Sequence, residues 1–152
     1  MLLKTHLAIA ILLVLIFLSS VEHKISFVLI TFFAVILPDI DSGFSTIGNH
    51  KTLKPLQFFV RHRGLIHSFS FLFLITIFFA LFFPILALGF FLGYGSHLFA
   101  DMFTNDGIMP FYPWKRKSGG WIRTGGKTET MVFIFFVIAD LIIFLLTIRN
   151  LI

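Results

Sequence analysis

The sequence predicts an all-α polytopic membrane protein, a bundle of about five transmembrane helices in a single membrane-embedded domain over residues 1–152, and three observations carry that expectation. Hydrophobic residues make up 58% of the chain, 23 of them Phe, and charged residues only 12%, against roughly 25% charged in soluble domains. The apolar residues fall in five long runs, each too continuous to be one face of a half-buried strand. The Lys and Arg residues lie almost wholly between those runs. No internal repeat, low-complexity linker or composition shift marks a second domain.

The runs are Thr5–Ser20, Ile25–Leu37, Leu65–Phe83, Ile85–Phe103 and Thr130–Ile148. The first has Lys4 ahead of an apolar stretch, as a signal peptide does, but no small-x-small cleavage site precedes Glu22, so it is expected to stay as a helix. The second ends at Pro38 and, at about 1.5 Å per residue, reaches only roughly 20 Å, so at least one of its ends is expected to stop inside a bilayer core of about 30 Å. Residues 65–103 cannot form one helix, which would span roughly 60 Å; a hairpin at Phe83-Pro84 resolves this. Threading five spans leaves Lys4, Lys51, Lys54, Arg61, Arg63, Lys115, Arg116, Lys117, Arg123 and Lys127 on one side and only Lys24 and Arg149 on the other. The positive-inside rule makes the rich side cytoplasmic, with the N-terminus. Localisation is therefore expected in the cell's inner or plasma membrane.

The net charge of +5 does not point to nucleic acid, because basic residues placed between spans orient helices and meet anionic head groups. Tyr112, Trp114 and Trp121 beside Lys115, Arg116 and Lys117 suit the same interfacial zone. With no Cys in the chain, disulfides, thiolate sites and a Cys nucleophile are excluded, and any metal would need nitrogen and oxygen ligands.

Four short clusters then stand out: Thr5-His6, Pro38-Asp39-Ile40-Asp41, His62-Arg63-Gly64-Leu65-Ile66-His67, and His97 with Asp101. The threading brings all four to the cytoplasmic ends of their spans, and convergent ionisable groups near hydrocarbon suggest a functional site. His97 and Asp101 are four apart, so a helix puts them on one face where they can share an ion; a hydrogen-bonded pair without metal is the plainer alternative. Asp39 and Asp41 follow a proline and are expected in an extended turn, one carboxylate entering the cavity and the other supporting a neighbour; solvated loop acids are the alternative. His62 and His67 would diverge by about 140° on one helix, so a break at Gly64 would leave His62 in a loop and His67 in the first helical turn. Arg63 suits a phosphate oxygen, although Arg61-His62-Arg63 could also be a basic patch that meets lipid phosphate. His6 alone is weak and gains weight from lying at the correct end of its span. His23 and His50 lie outside these clusters, and Asp140 sits deep in the last run, where an acid needs a partner or a proton.

The ordered set Thr5-His6, Leu37-Pro38-Asp39-Ile40-Asp41, His62-Arg63-Gly64-Leu65-Ile66-His67-Ser68 and Gly93-Tyr94-Gly95-Ser96-His97-Leu98-Phe99-Ala100-Asp101, followed by Thr104, Gly107 and Pro110, resembles the prokaryotic LexA-regulated inner-membrane metal-dependent hydrolases, which in turn look like distant relatives of zinc-dependent phospholipase C and the P1-type nucleases. The resemblance covers residues 1 to about 114 and implies zinc-type metals and phosphoester hydrolysis. By matching positions it implies His6, Asp39, His67, His97 and Asp101 as metal ligands, with His62 and Asp41 as further candidates. A second His-x-x-x-Glu or His-x-x-x-Asp pair, present in the soluble enzymes, is missing later in the chain, which favours one or two ions over three.

The expected activity is hydrolysis of a lipid phosphate or phospholipid head group by a metal-activated water, with Zn the first choice and Mn or Fe possible. Asp39 or Asp41 would act as base or orienting group, and Arg63 would neutralise phosphate. The expected partners are the bilayer and an anionic lipid; the oligomeric state is not read from the sequence. Two rivals differ in class. A metal-binding membrane protein without catalysis would keep a closed coordination shell. An ion transporter would continue its polar groups through the membrane, and apart from Asp140 the opposite half is almost purely apolar.

Overall fold

The computed structural model describes residues 1–41, 64–114 and 116–149, with the side chains of residues 40 and 41 excluded. Five α-helices lie among the described residues: α1 (Leu3–Phe17), α2 (Lys24–Ile36), α3 (Phe69–Phe82), α4 (Pro84–Met102) and α5 (Lys127–Arg149). A 3-10 turn, Leu18–Ser20, prolongs α1, and another, Leu37–Asp41, prolongs α2. Among the described residues, three units are long and apolar enough to cross a membrane: Leu3–Ser20, α4 and α5. The other two helices are shorter, and the expected short second span is one of them.

The boundaries have local causes. Phe83, the residue before a proline, sits at φ −143°, ψ 62°, outside the helical region. Pro84 then opens α4 at a position where its missing N–H costs nothing. At the other end of α3 the expected start at Leu65 is too early, because Ser68 takes the N-cap. Its Oγ accepts from Phe71 N at 3.2 Å and donates to the Leu65 carbonyl at 2.5 Å, which ties residues 65–68 into a turn.

Helices α2 and α4 make the tightest packing. A Cβ on Gly89 would fall 2.1 Å from Ile30 Cγ2, and one on Gly93 would fall 2.3 Å from the Thr31 carbonyl oxygen. Small residues four apart let two helix backbones approach where lipid offers no hydrophobic drive for association. The buried cluster of Ala34, Leu72, Phe90, Tyr94, Leu98 and Ile108 joins α2, α3 and α4 to the loop after α4, while α5 packs chiefly along α1.

The loop after α4 folds back over the helix end. Ile122 N donates to the Phe103 carbonyl at 2.9 Å, and Gly120 N donates to that of Thr104 at 2.9 Å. Gly107, at φ +55°, passes so close to Ser118 that a side chain would strike its carbonyl oxygen. Pro110 O accepts from Phe69 N at 2.8 Å, so the loop also holds the start of α3. This end of the bundle carries His6, Asp39, His67, His97 and Asp101.

Candidate metal centre

One stripe of α4 links packing to chemistry. Gly89, Gly93, His97 and Asp101 recur every four residues, and each step turns the stripe by about 40°. The glycines therefore face α2, His97 stands between α2 and α1, and Asp101 meets the start of α1.

His97, 0% exposed, has its Nδ1 2.7 Å from the Val35 carbonyl oxygen. Val35 lies in the last turn of α2, where carbonyls lack intrahelical donors, and Pro38 has no N–H to offer. A carbonyl only accepts, so Nδ1 carries the proton and Nε2 presents a lone pair. That Nε2 is buried with no hydrogen-bond partner among the described residues. It lies 3.8 Å from Asp39 Oδ1 and 3.8 Å from Asp101 Oδ2.

His6, in the first turn of α1, stacks on His97 with ring centroids 3.9 Å apart and planes 7° from parallel. Its Nε2 approaches Asp101 Oδ1 at 3.4 Å outside hydrogen-bond geometry, and neither ring nitrogen has a hydrogen-bond partner among the described residues. His67 meets His97 edge-on at 5.6 Å. Ligand-type atoms of His6, His97 and Asp101 lie within 4.8 Å of one another, as do those of Asp39, His67 and His97. His97 belongs to both triads. Asp101 also pairs with the Met1 ammonium group.

Two local expectations are corrected. Asp39 is not in an extended stretch but in the 3-10 turn that continues α2, which keeps it near the helix end and hence near His97. Burial raises its carboxyl above the ordinary range, opposed by His6 and reinforced by Asp101. His67 is not in the first helical turn; it precedes the Ser68 N-cap, and its segment is held by Tyr94, whose hydroxyl donates to the Ile66 carbonyl at 2.6 Å. The side chain of Asp41 and the whole of His62 and Arg63 lie outside the described residues.

The donor set suits a divalent cation. Buried imidazole nitrogens without partners, facing carboxylates, are costly unless something charged or polar joins them. Nitrogen and oxygen donors without thiolate fit Zn, Mn or Fe, and the Nδ1–H to carbonyl bond of His97 is the outer support that metal-ligating imidazoles use.

Glu129 is the residue that sequence reasoning missed. It lies in the first turn of α5 and is 1% exposed. Oε1 accepts from Leu2 N at 2.5 Å and Thr5 Oγ1 at 3.0 Å, and Oε2 accepts from Gly125 N at 2.5 Å. It thus joins α5 to the residues beside His6. The available signal was an acid three positions after Gly126, the spacing at which Glu reaches back to cap a helix start.

Over residues 1–151 the chain matches the family described as YdjM inner membrane protein. The chain belongs to that family. Neither the curated proteins nor the solved structures give a match. Family membership and three membrane-length apolar helices make this YdjM-family chain an integral inner-membrane protein. Asp140, half-buried in α5 with Oδ1 lacking a hydrogen-bond partner among the described residues, belongs to neither triad.

Proposed function

We propose that this protein is a metal-dependent phosphoester hydrolase of the inner membrane, acting on a lipid phosphate or phospholipid head group at the cytoplasmic face. The observation that carries the reading is His97 Nε2: a buried lone pair, its tautomer set by Val35, facing Asp39 and Asp101 with His6 and His67 beside it. His6, Asp39, His67, His97 and Asp101 would hold one or two ions, Zn first, with His62 a further ligand. A bound divalent ion would supply Lewis acidity toward a phosphoryl oxygen and acidify water. Asp39, with 16% of its side chain accessible against 3% for Asp101, is suited to take the proton of the attacking water, with Asp41 as alternative base or orienting group. Arg63 would pair with the phosphate. The ten basic residues on its side of the threading support a cytoplasmic orientation for the site.

A second reading has support of its own. The His6, His97 and Asp101 triad is wholly buried, as a closed structural metal shell would be. Metal analysis of detergent-purified protein, combined with phosphate release from lipid phosphates, separates the two. Near-stoichiometric metal with turnover lost in Asp39→Asn supports the hydrolase; metal without turnover on any phosphoester lipid supports the structural role; a metal-free protein that cannot be loaded overturns both.

A further inference from the structure

An apolar groove of about 610 Å³ runs between α1, α3, α4 and α5. Its α4 wall extends from Phe91 to Phe103, a rise of about 18 Å, close to the roughly 15 Å of hydrocarbon in one leaflet. Gly95 lies on this wall, and without a side chain there the groove stays open beside Leu72. Phe73, Phe91 and Phe103 are well exposed along the groove, so it opens sideways toward lipid. One end is chemically distinct. Met1 and Ala100 line it; the Met1 ammonium pairs with Asp101, and Ala100 immediately precedes it.

We infer that this groove seats one hydrocarbon chain of the lipid whose phosphate meets the His97 cluster. The inference rests on the proposed function and specifies how the substrate is chosen. An amphiphile needs a polar station beside an apolar slot, and here a slot about one leaflet long reaches the polar cluster through Met1, whose ammonium pairs with Asp101. The lipid-facing surface of α5, apolar but remote from the triads, has no such station. Recognition by the chain also explains how a membrane enzyme would distinguish a lipid phosphate from water-soluble esters, since only an ester that carries a chain can fill the groove while its phosphate meets the cluster.

The test uses full-length zinc-loaded protein, with dipalmitoyl phosphatidate and its short-chain counterpart dihexanoyl phosphatidate as probes. Leu13→Trp and Val132→Trp fill the groove from two different helices, α1 and α5, and Ile138→Trp, on the outward face of α5, is the control. Both filling variants should lose about tenfold or more in kcat/KM for the long-chain probe and less than about twofold for the short-chain probe, with metal content unchanged. Native mass spectrometry should show one dipalmitoyl phosphatidate retained by the wild type and Ile138→Trp, and none by either filling variant. Equal loss on both probes, or no loss with metal retained, overturns the groove. If the wild type hydrolyses neither probe, the hydrolase reading falls and retention alone decides: loss in the filling variants upholds the chain site, and retention equal to wild type overturns it. Should one variant lose its metal through misfolding, the variant on the other helix is read in its place.

Discussion

Helices α4 and α5 are both long and apolar enough to cross a bilayer, yet they use that capacity in opposite ways. Over its 23 residues α5 buries only Glu129, whereas α4 buries eight of its 19, including His97 and Asp101. The more uniformly apolar helix touches the rest of the protein least. Apolarity in lipid gives no incentive to associate, so burial follows instead from glycines that allow close approach and polar groups that need partners. Helix α4 has both on one stripe, and α5 has a single buried polar anchor, at the end that meets the start of α1.

The largest effect expected from breaking this contrast is at His97. His97→Ala removes the one imidazole common to both triads and should lower metal affinity by more than about 100-fold, beyond the range seen when only a supporting residue is lost. Elemental analysis after dialysis measures it, and full metal retention would remove the central role given to α4. Next is Gly93→Leu, which would drive a side chain into the Thr31 carbonyl and destabilise the fold by about 1–3 kcal/mol through overpacking. Thermal unfolding in detergent reads this, and metal affinity should fall with it because α2 carries Val35 and the turn that prolongs it carries Asp39.

Much of this was legible in the sequence because the signals were physical and local. Five apolar runs gave the helices, Pro84 gave the hairpin, and the ends of the runs carried the five side chains that the fold brings together. What was not legible depends on partners. The Gly89 to Gly93 spacing is a packing signal, but a spacing cannot say that α2 is the helix it admits. The bond from His97 Nδ1 to Val35 joins residues 62 positions apart and leaves no pattern in either segment. Asp39 follows a proline, which argues for leaving the helix, and the chain instead tightens into a 3-10 turn that keeps the carboxylate beside the cluster. Glu129 reads as an ordinary helix-start acid until its hydrogen bonds to Leu2 and Thr5 are seen.

Glu129 sharpens the comparison from the α5 side. Glu129→Gln keeps one acceptor oxygen where two carboxylate oxygens now serve three donors, so about 1–3 kcal/mol of stability should be lost. Since the lost bonds lie beside His6, metal affinity should weaken by about tenfold while His97 keeps its bond to Val35. Isothermal titration with zinc checks this; an affinity equal to wild type, with lowered stability, would make Glu129 a helix anchor without influence on the centre.

The smallest effect belongs to the outward face of α5. Ile138→Ala removes an apolar side chain that is 52% exposed and in a bilayer already surrounded by hydrocarbon, so stability should change by no more than about 0.5 kcal/mol. The matched truncation in α4, Leu98→Ala, empties a site that is 0% exposed and should cost about 2–5 kcal/mol. The pair therefore measures the contrast directly, with the same instrument and nearly the same chemistry. If thermal unfolding gave the two variants equal losses, α5 would have a protein neighbour in the membrane, and its apolar face would be a packing surface like that of α4 rather than one solvated by lipid.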